Sequence, residues 1–194
     1  MFGDKRPTAA SFIKDVRAEY GAQADQILKL YPAGTDEEAV RSAGDLASDR
    51  FIVTTTWKWI ELQLETGDAP VYRYQFDRAV PIAPGTIING AHATSADTGA
   101  PHASEISYVF GAIAAMKDVP WDAADFKLSD AIGTYWTNFA KTGNPNGLGL
   151  AQWPAYDAKS RQILRLDANL KAEAETNRAR YELQDAVTVK LRKN

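Results

Sequence analysis

The sequence predicts an α/β fold that is mostly helical, with too few strands to complete a central sheet. Three observations carry this. Apolar residues recur at helical spacing in about five stretches. Only residues 70–77 alternate clearly between apolar and polar, and one further short segment, Gln162–Leu166, reads as a strand. With 194 residues, 45% of them hydrophobic and 24% charged, the chain can bury a sizeable core and does not have the composition of a disordered one.

The elements follow in order. Phe12, Ile13, Val16 and Tyr20 lie at helix spacing, and Gly21 breaks the run. A short helix carrying Ile27, Leu28 and Tyr31 stops at Pro32. Thr35-Asp36-Glu37-Glu38 reads as a capping box, Thr35 accepting from the Glu38 N–H and Glu38 reaching back to Thr35. It opens a helix with Ala39, Val40, Ala43, Leu46 and Ala47 on one face. Residues 49–65 predict a further helix; its apolar residues, Phe51, Trp57, Trp59 and Leu62 among them, are spread round it and predict burial on more than one side. Tyr72, Tyr74 and Phe76 share one face of the alternating strand. Residues 78–104 read as a long loop, a feature that in compact domains usually serves a function. Leu128, Ile132, Tyr135, Trp136 and Phe139 mark another helix, ended by Gly143 and the turn cluster Asn144-Pro145-Asn146-Gly147. After Gln162–Leu166 the Ala-, Glu-, Lys- and Arg-rich remainder predicts a solvated helix. There is no internal repeat, and residues 1–194 read as one piece without an internal boundary.

Composition narrows the chemistry. Lys plus Arg number 22 against 25 Asp plus Glu, a formal charge of −3 with no basic block, which excludes a nucleic-acid partner. The absence of Cys excludes disulfides, thiolate metal sites and cysteine nucleophiles, and two histidines, His92 and His102, argue against a multi-His metal centre. The longest apolar run, residues 108–116, is far short of the ~20 residues of a membrane span, and no signal-peptide core opens the sequence; localisation stays undetermined. Asp36, Glu37 and Glu38 read as a helix start favoured by the dipole, not as a metal site.

His102 stands in Gly99-Ala100-Pro101-His102-Ala103-Ser104-Glu105-Ile106-Ser107-Tyr108-Val109-Phe110-Gly111. It follows a strand and precedes an apolar segment able to anchor the loop. An imidazole, with a pKa near ~6.5, can take and return a proton at neutral pH. On position alone, a surface or hydrogen-bonding histidine is the commoner reading. His92 lies in no motif and reads as a loop surface residue, and Trp57, Trp59, Trp136 and Phe139, at helical spacing, read as core.

The segment round His102 resembles the histidine segment of the type-B carboxylesterase and cholinesterase-like family. Two blocks match in the same order. Val71-Tyr72-Arg73-Tyr74-Gln75-Phe76-Asp77 is similar to the strand before the family's histidine loop, and Leu128-Ser129-Asp130 through Asn146, with Trp153-Pro154-Ala155-Tyr156, to its late helix and Trp-Pro turn. Residues 8–51 are similar to the bacterial branch. The likeness spans essentially the whole chain and corresponds to the C-terminal third of a family member. It implies the C-terminal portion of an α/β-hydrolase fold, a small-molecule ester substrate, no cofactor and a Ser–acid–His triad with His102 in the histidine place. The serine would attack the ester carbonyl while the imidazole accepts its proton, then protonates the leaving alcohol; water would repeat the steps on the acyl-enzyme. Glu105 matches the glutamate three residues after the family's histidine and would support the loop from behind, or else stand as a solvent-exposed carboxylate. Tyr108 and Phe110 are the candidates for pocket walls.

The departures are equally specific. A nucleophile elbow needs Gly-x-Ser-x-Gly, and no Gly in this sequence has Ser two positions later. The oxyanion-hole glycine run is missing, and the family's Glu-Gly acid loop would lie before Met1; Asp4 is the nearest carboxylate and has no matching context. The expectation is a truncated serine-esterase fragment that supplies the histidine, lacks nucleophile and acid, needs the upstream part of the same protein as partner, and is inactive alone. The alternative is a non-catalytic cholinesterase-like binding module or an inactive fragment.

Overall fold

Thr8 opens the first helix, α1 (Ala9–Tyr20): its hydroxyl oxygen accepts from the Ser11 N–H, and the Ser11 hydroxyl oxygen accepts from the Thr8 N–H in return. The computed structural model describes residues 6–88 and 91–192. Phe12 and Val16, one turn apart, form the buried face of α1, and Gly21, at φ 50°, ends it. A 3-10 turn leads to α2 (Ala24–Leu30). Next come α3 (Asp36–Ser48), a π-helical stretch Asp49–Val53 and α4 (Thr54–Thr66), with no break in the helical backbone between them. The Thr35 cap forms as expected on the Glu38 N–H, but the Glu38 carboxylate accepts from the Gly34 N–H at 2.8 Å instead of closing the box on Thr35.

The expectation that α4 is buried on several sides is corrected. Trp57 is 4% exposed, whereas Trp59 is 73% and Leu62 45% exposed, and Phe51 in the π stretch 62%. At ~100° per residue, Trp59 and Leu62 lie roughly 140–160° round the helix from Trp57, so packing one side leaves them outside.

Contacts gather into two units: Met1–Gly67 with Thr176–Asn194, and Asp68–Glu175. In the second, β1 (Tyr74–Phe76) is shorter than the alternation suggests. The predicted loop contains a two-stranded antiparallel ribbon, β2 (Ile87–Ile88) and β3 (Ala91–His92), and a single turn α5 (Ser95–Thr98). There follow α6 (Ile106–Val109) and α7 (Ala123–Thr142), the latter capped at Asp122 and closed by Gly143 at φ 73°. β4 (Gln162–Leu166) pairs parallel with β1, in the register Tyr74↔Leu164, and antiparallel with β5 (Lys171–Ala174), giving the order β1-β4-β5. The strand β5 corrects the expectation of helix throughout the C-terminal remainder: the second edge of β4 carries backbone groups that need partners, and that demand overrides the helical preference of Lys-Ala-Glu-Ala.

The core of this unit sits where α7 meets β4. Leu128, Ile132 and Tyr135 pack with Trp153, Leu164 and Leu166. Trp153 is the hub of an aromatic cluster, with Tyr135, Trp136 and Tyr74 ring centroids 5.3, 5.8 and 5.9 Å away, and its indole N–H donates to the Arg73 carbonyl at 3.0 Å. Trp136 is half-buried there; Phe139, expected in the core, is exposed at the rim, edge-on to Tyr72.

The last helix, α8 (Arg178–Arg192), belongs to the first unit. There Ile27, Tyr31, Ala39, Ala43 and Leu46 complete a core with Phe12 and Val16. Asp49, buried in the π stretch, accepts from the Tyr31 hydroxyl and from Arg180, each at 2.7 Å, and Arg178 holds Glu61 through its two terminal guanidinium nitrogens. Among the described residues, no helix is long and apolar enough to cross a membrane.

Candidate functional site

The turn that carries His102 is built from backbone bonds at its two ends. The Val80 N–H donates to the Gly99 carbonyl at 3.1 Å and ties the incoming chain to the segment just after β1. The Ser104 N–H donates to the Pro101 carbonyl and the Ile106 N–H to the Ala103 carbonyl, and the Glu105 carbonyl accepts from the Tyr108 and Val109 N–H groups of α6. Ala103 takes φ 67°, a left-handed conformation that an L side chain adopts only when its surroundings enforce it. His102, immediately before it, is exposed. An imidazole on an exposed residue of such a turn can exchange a proton with a reacting oxygen.

Glu105 is half-buried and accepts from the Tyr74 hydroxyl at 3.3 Å, a bond from the strand to the turn. Burial, reinforced by the Glu105 charge, pushes the Tyr74 phenol up to about 12, so it stays protonated and remains the donor. Behind the turn, Tyr108 is 0% exposed and lies in the core, with no ring face open to a ligand in this chain, while Phe110 is 79% exposed. The Tyr108 hydroxyl donates to Asp125 at 2.9 Å, and Asp125, itself fully buried, also accepts from the Arg78 Nε at 2.7 Å. Burial first and the Asp125 carboxylate second raise the Tyr108 phenol above its ordinary value; hydrogen bonding to Asp125 raises Arg78. The Tyr108 carbonyl accepts from the Ser129 hydroxyl of α7 at 2.7 Å. The turn is therefore held by β1 through Tyr74, by the segment after β1 through Arg78, and by α7 through Asp125 and Ser129.

Tyr74 stood in a recognised strand pattern but gave no sign of its bond to Glu105. Ser129 lies in the Leu128-Ser129-Asp130 block, which marks the late helix but not the bond to the Tyr108 carbonyl; Arg78 carries no local signal, and Asp125 has one, its place three residues after the Asp122 cap. Ser104, within the histidine turn, has its hydroxyl buried with no hydrogen-bond partner among the described residues, so it is not open to a substrate. His92 falls in β3, and its side chain lies outside the described residues, as does the whole of Asp4.

Comparison with known proteins gives one consistent result. The family model described as carboxylesterase family matches residues 6–184. The chain is 36% identical over 122 residues to the fatty acyl-CoA hydrolase precursor, medium chain, of Anas platyrhynchos, a match covering 63% of this chain and 20% of that protein. It is 37% identical over 123 residues to carboxylesterase 4A of Bos taurus, again 63% of this chain and 20% of the relative, and 37% identical over 130 residues to carboxylesterase 5A of Canis lupus familiaris, 65% and 21%. The matched stretch is about a fifth of the length of these relatives. The strand, the histidine turn, the late helix and the Trp-Pro turn are thus parts of a known scaffold, and the chain belongs to the carboxylesterase family.

Proposed function

We propose that this chain is the histidine-bearing part of a carboxylic ester hydrolase, with His102 as the proton shuttle of an acyl-transfer reaction. The supporting observation is that His102 is an exposed residue on a turn held at both ends by backbone and side-chain bonds. In the reaction, a serine oxygen from polypeptide outside this chain attacks the ester carbonyl carbon as His102 takes its proton. The imidazolium returns that proton to the alkoxide as the C–O bond breaks; water then attacks the acyl-enzyme with His102 again as base. A carboxylate, also from outside, holds the second ring N–H. Glu105 fixes the turn through Tyr74, Tyr108 supports it from the core, and Phe110 offers an apolar ring at the substrate side. Binding energy alone does not replace the nucleophile, so the chain by itself is inactive.

The test is hydrolysis of p-nitrophenyl acetate. The pure chain is expected to be no faster than free imidazole at equal concentration, and mixing with the preceding part of a family member to restore turnover that His102→Ala removes, by at least ~10³-fold. Turnover by the pure chain that survives His102→Ala would overturn the assignment of His102.

A further inference from the structure

The turn after α7 carries a reactive pair that the ester chemistry does not use. Asn146 is followed by Gly147, and a glycine nitrogen, with no side chain beside it, is the backbone group best able to attack the amide carbon of a preceding asparagine. The neighbouring amides lack this partner: Pro145, after Asn144, has no N–H to lose, and the bulky Phe139 follows Asn138. The reaction consumes only water. The Gly147 nitrogen bonds to the Asn146 Cγ, the Cγ–Nδ2 bond breaks, and the proton lost by Gly147 ends on the departing ammonia. Water then opens the succinimide at either carbonyl, leaving aspartate or isoaspartate.

In the folded chain the side chain and the backbone on both sides of it are held. The Asn146 Nδ2 donates to the Trp153 carbonyl and to the Asn144 Oδ1, each at 2.9 Å, and the Asn146 Oδ1 accepts from the Trp153 N–H at 2.7 Å. The Asn146 N–H donates to the Asn144 Oδ1 at 3.0 Å, the Asn138 amide to the Asn146 carbonyl at 3.4 Å, and the Leu150 N–H to the Gly147 carbonyl at 3.3 Å. Ring closure makes Cγ tetrahedral and expels Nδ2, so it breaks the bonds that Nδ2 makes. The same bonds determine what conversion does. A carboxylate has no N–H for the Trp153 carbonyl or the Asn144 Oδ1 and sets a charged acceptor against both. Trp153 is 4% exposed and is the hub of the aromatic cluster, so the loss reaches the core.

We propose that Asn146 is a deamidation site closed by folding: the native turn protects it, opening of the turn releases it, and conversion keeps the turn from closing again. The outcome is a one-way mark on chains whose turn has opened.

Peptide mapping by mass spectrometry tests this, since it separates the Asn146 peptide from the other Asn-Gly pair of the sequence, Asn89-Gly90. The whole chain is held in mildly alkaline buffer, native and in urea. Conversion of Asn146 is expected in urea and to be at least ~10-fold slower in the native chain, where only the opened fraction reacts. Asn144→Ala removes an exposed side chain that holds Asn146; it is expected to speed native conversion about 3- to 10-fold, with the rate in urea unchanged. Asn146→Asp, introduced directly, is expected to lower the Tm. Equal rates in buffer and urea, no conversion in urea, a native rate that Asn144→Ala leaves unchanged or raises only as much as in urea, or an Asn146→Asp chain as stable as the original would each overturn the proposal.

Discussion

Ala103 is one of two non-glycine residues with a positive φ among the described residues, Arg161 being the other, and it adjoins the proposed proton shuttle. At φ 67° its Cβ crowds the following carbonyl, at ~1–2 kcal/mol for an L residue. Glycine has no such clash but gains freedom in the unfolded chain, an offset of ~0.4–1 kcal/mol. Ala103→Gly is therefore expected to stabilise the chain by about 0.5–1 kcal/mol, read as a higher urea midpoint at unchanged m; a lower midpoint would mean that the turn is not held in this conformation. Tyr108 contributes in the opposite direction. Its hydroxyl is one of the bonds to the buried Asp125, so Tyr108→Phe is expected to destabilise by about 1–2 kcal/mol, with Arg78 and the Asp122 N–H still serving the carboxylate. Both effects come from groups touching the histidine turn, and of the two only Tyr108 was singled out from sequence. A motif identifies the residues near His102 in the chain, but nothing local marks Arg78, 47 residues before the Asp125 it pairs with.

At the scale of elements, what the sequence predicted well is what short-range chemistry determines. The end of α1 at Gly21 and of α7 at Gly143 follow from glycine's access to positive φ, and the span of β4 from a short segment bounded by turns. The misses are elements set by distant partners. β5 exists because β4 has a second edge, and α4 leaves Trp59 outside because α8 covers only the Trp57 side, with the Tyr181 ring 6.1 Å from that indole. The π stretch is the same kind of case: no residue in Asp49–Val53 announces it, yet it holds Asp49 buried between Tyr31, just past α2, and Arg180 of α8. Asp49→Ala is expected to cost about 3 kcal/mol or more, since Arg180 keeps only Asp45 and the Tyr31 hydroxyl loses its acceptor. Urea titration followed by helical ellipticity measures it; a cost below ~1 kcal/mol would show that the buried pair does not anchor these helices.

Across the whole molecule, phenol groups are the common device for tying elements together. Tyr31 bonds Asp49, Tyr74 bonds Glu105, Tyr108 bonds Asp125 and Tyr135 bonds the Ala151 carbonyl, so both units depend on tyrosines that must stay protonated. Burial, the largest cause in each case, raises all four above the ordinary value, Tyr74 to about 12. The sign of the consequence follows from linkage. An unfolded tyrosine releases its proton near pH ~10 while the folded one retains it, so stability is constant with respect to these groups below that pH. Above it the unfolded chain binds fewer protons than the folded one, and stability falls as pH rises through the raised folded values. The chain is therefore expected to unfold in alkali from about pH 10 upward, with most of the phenolate absorbance appearing together with the loss of helical ellipticity. Tyr74→Phe removes one such group and is expected to shift the alkaline midpoint upward relative to the stability it loses near neutral pH. Eight tyrosines titrating together near pH 10 with ellipticity intact would instead mean that these hydroxyls are open to water and that the bonds joining strand, turn and helices are not made in solution.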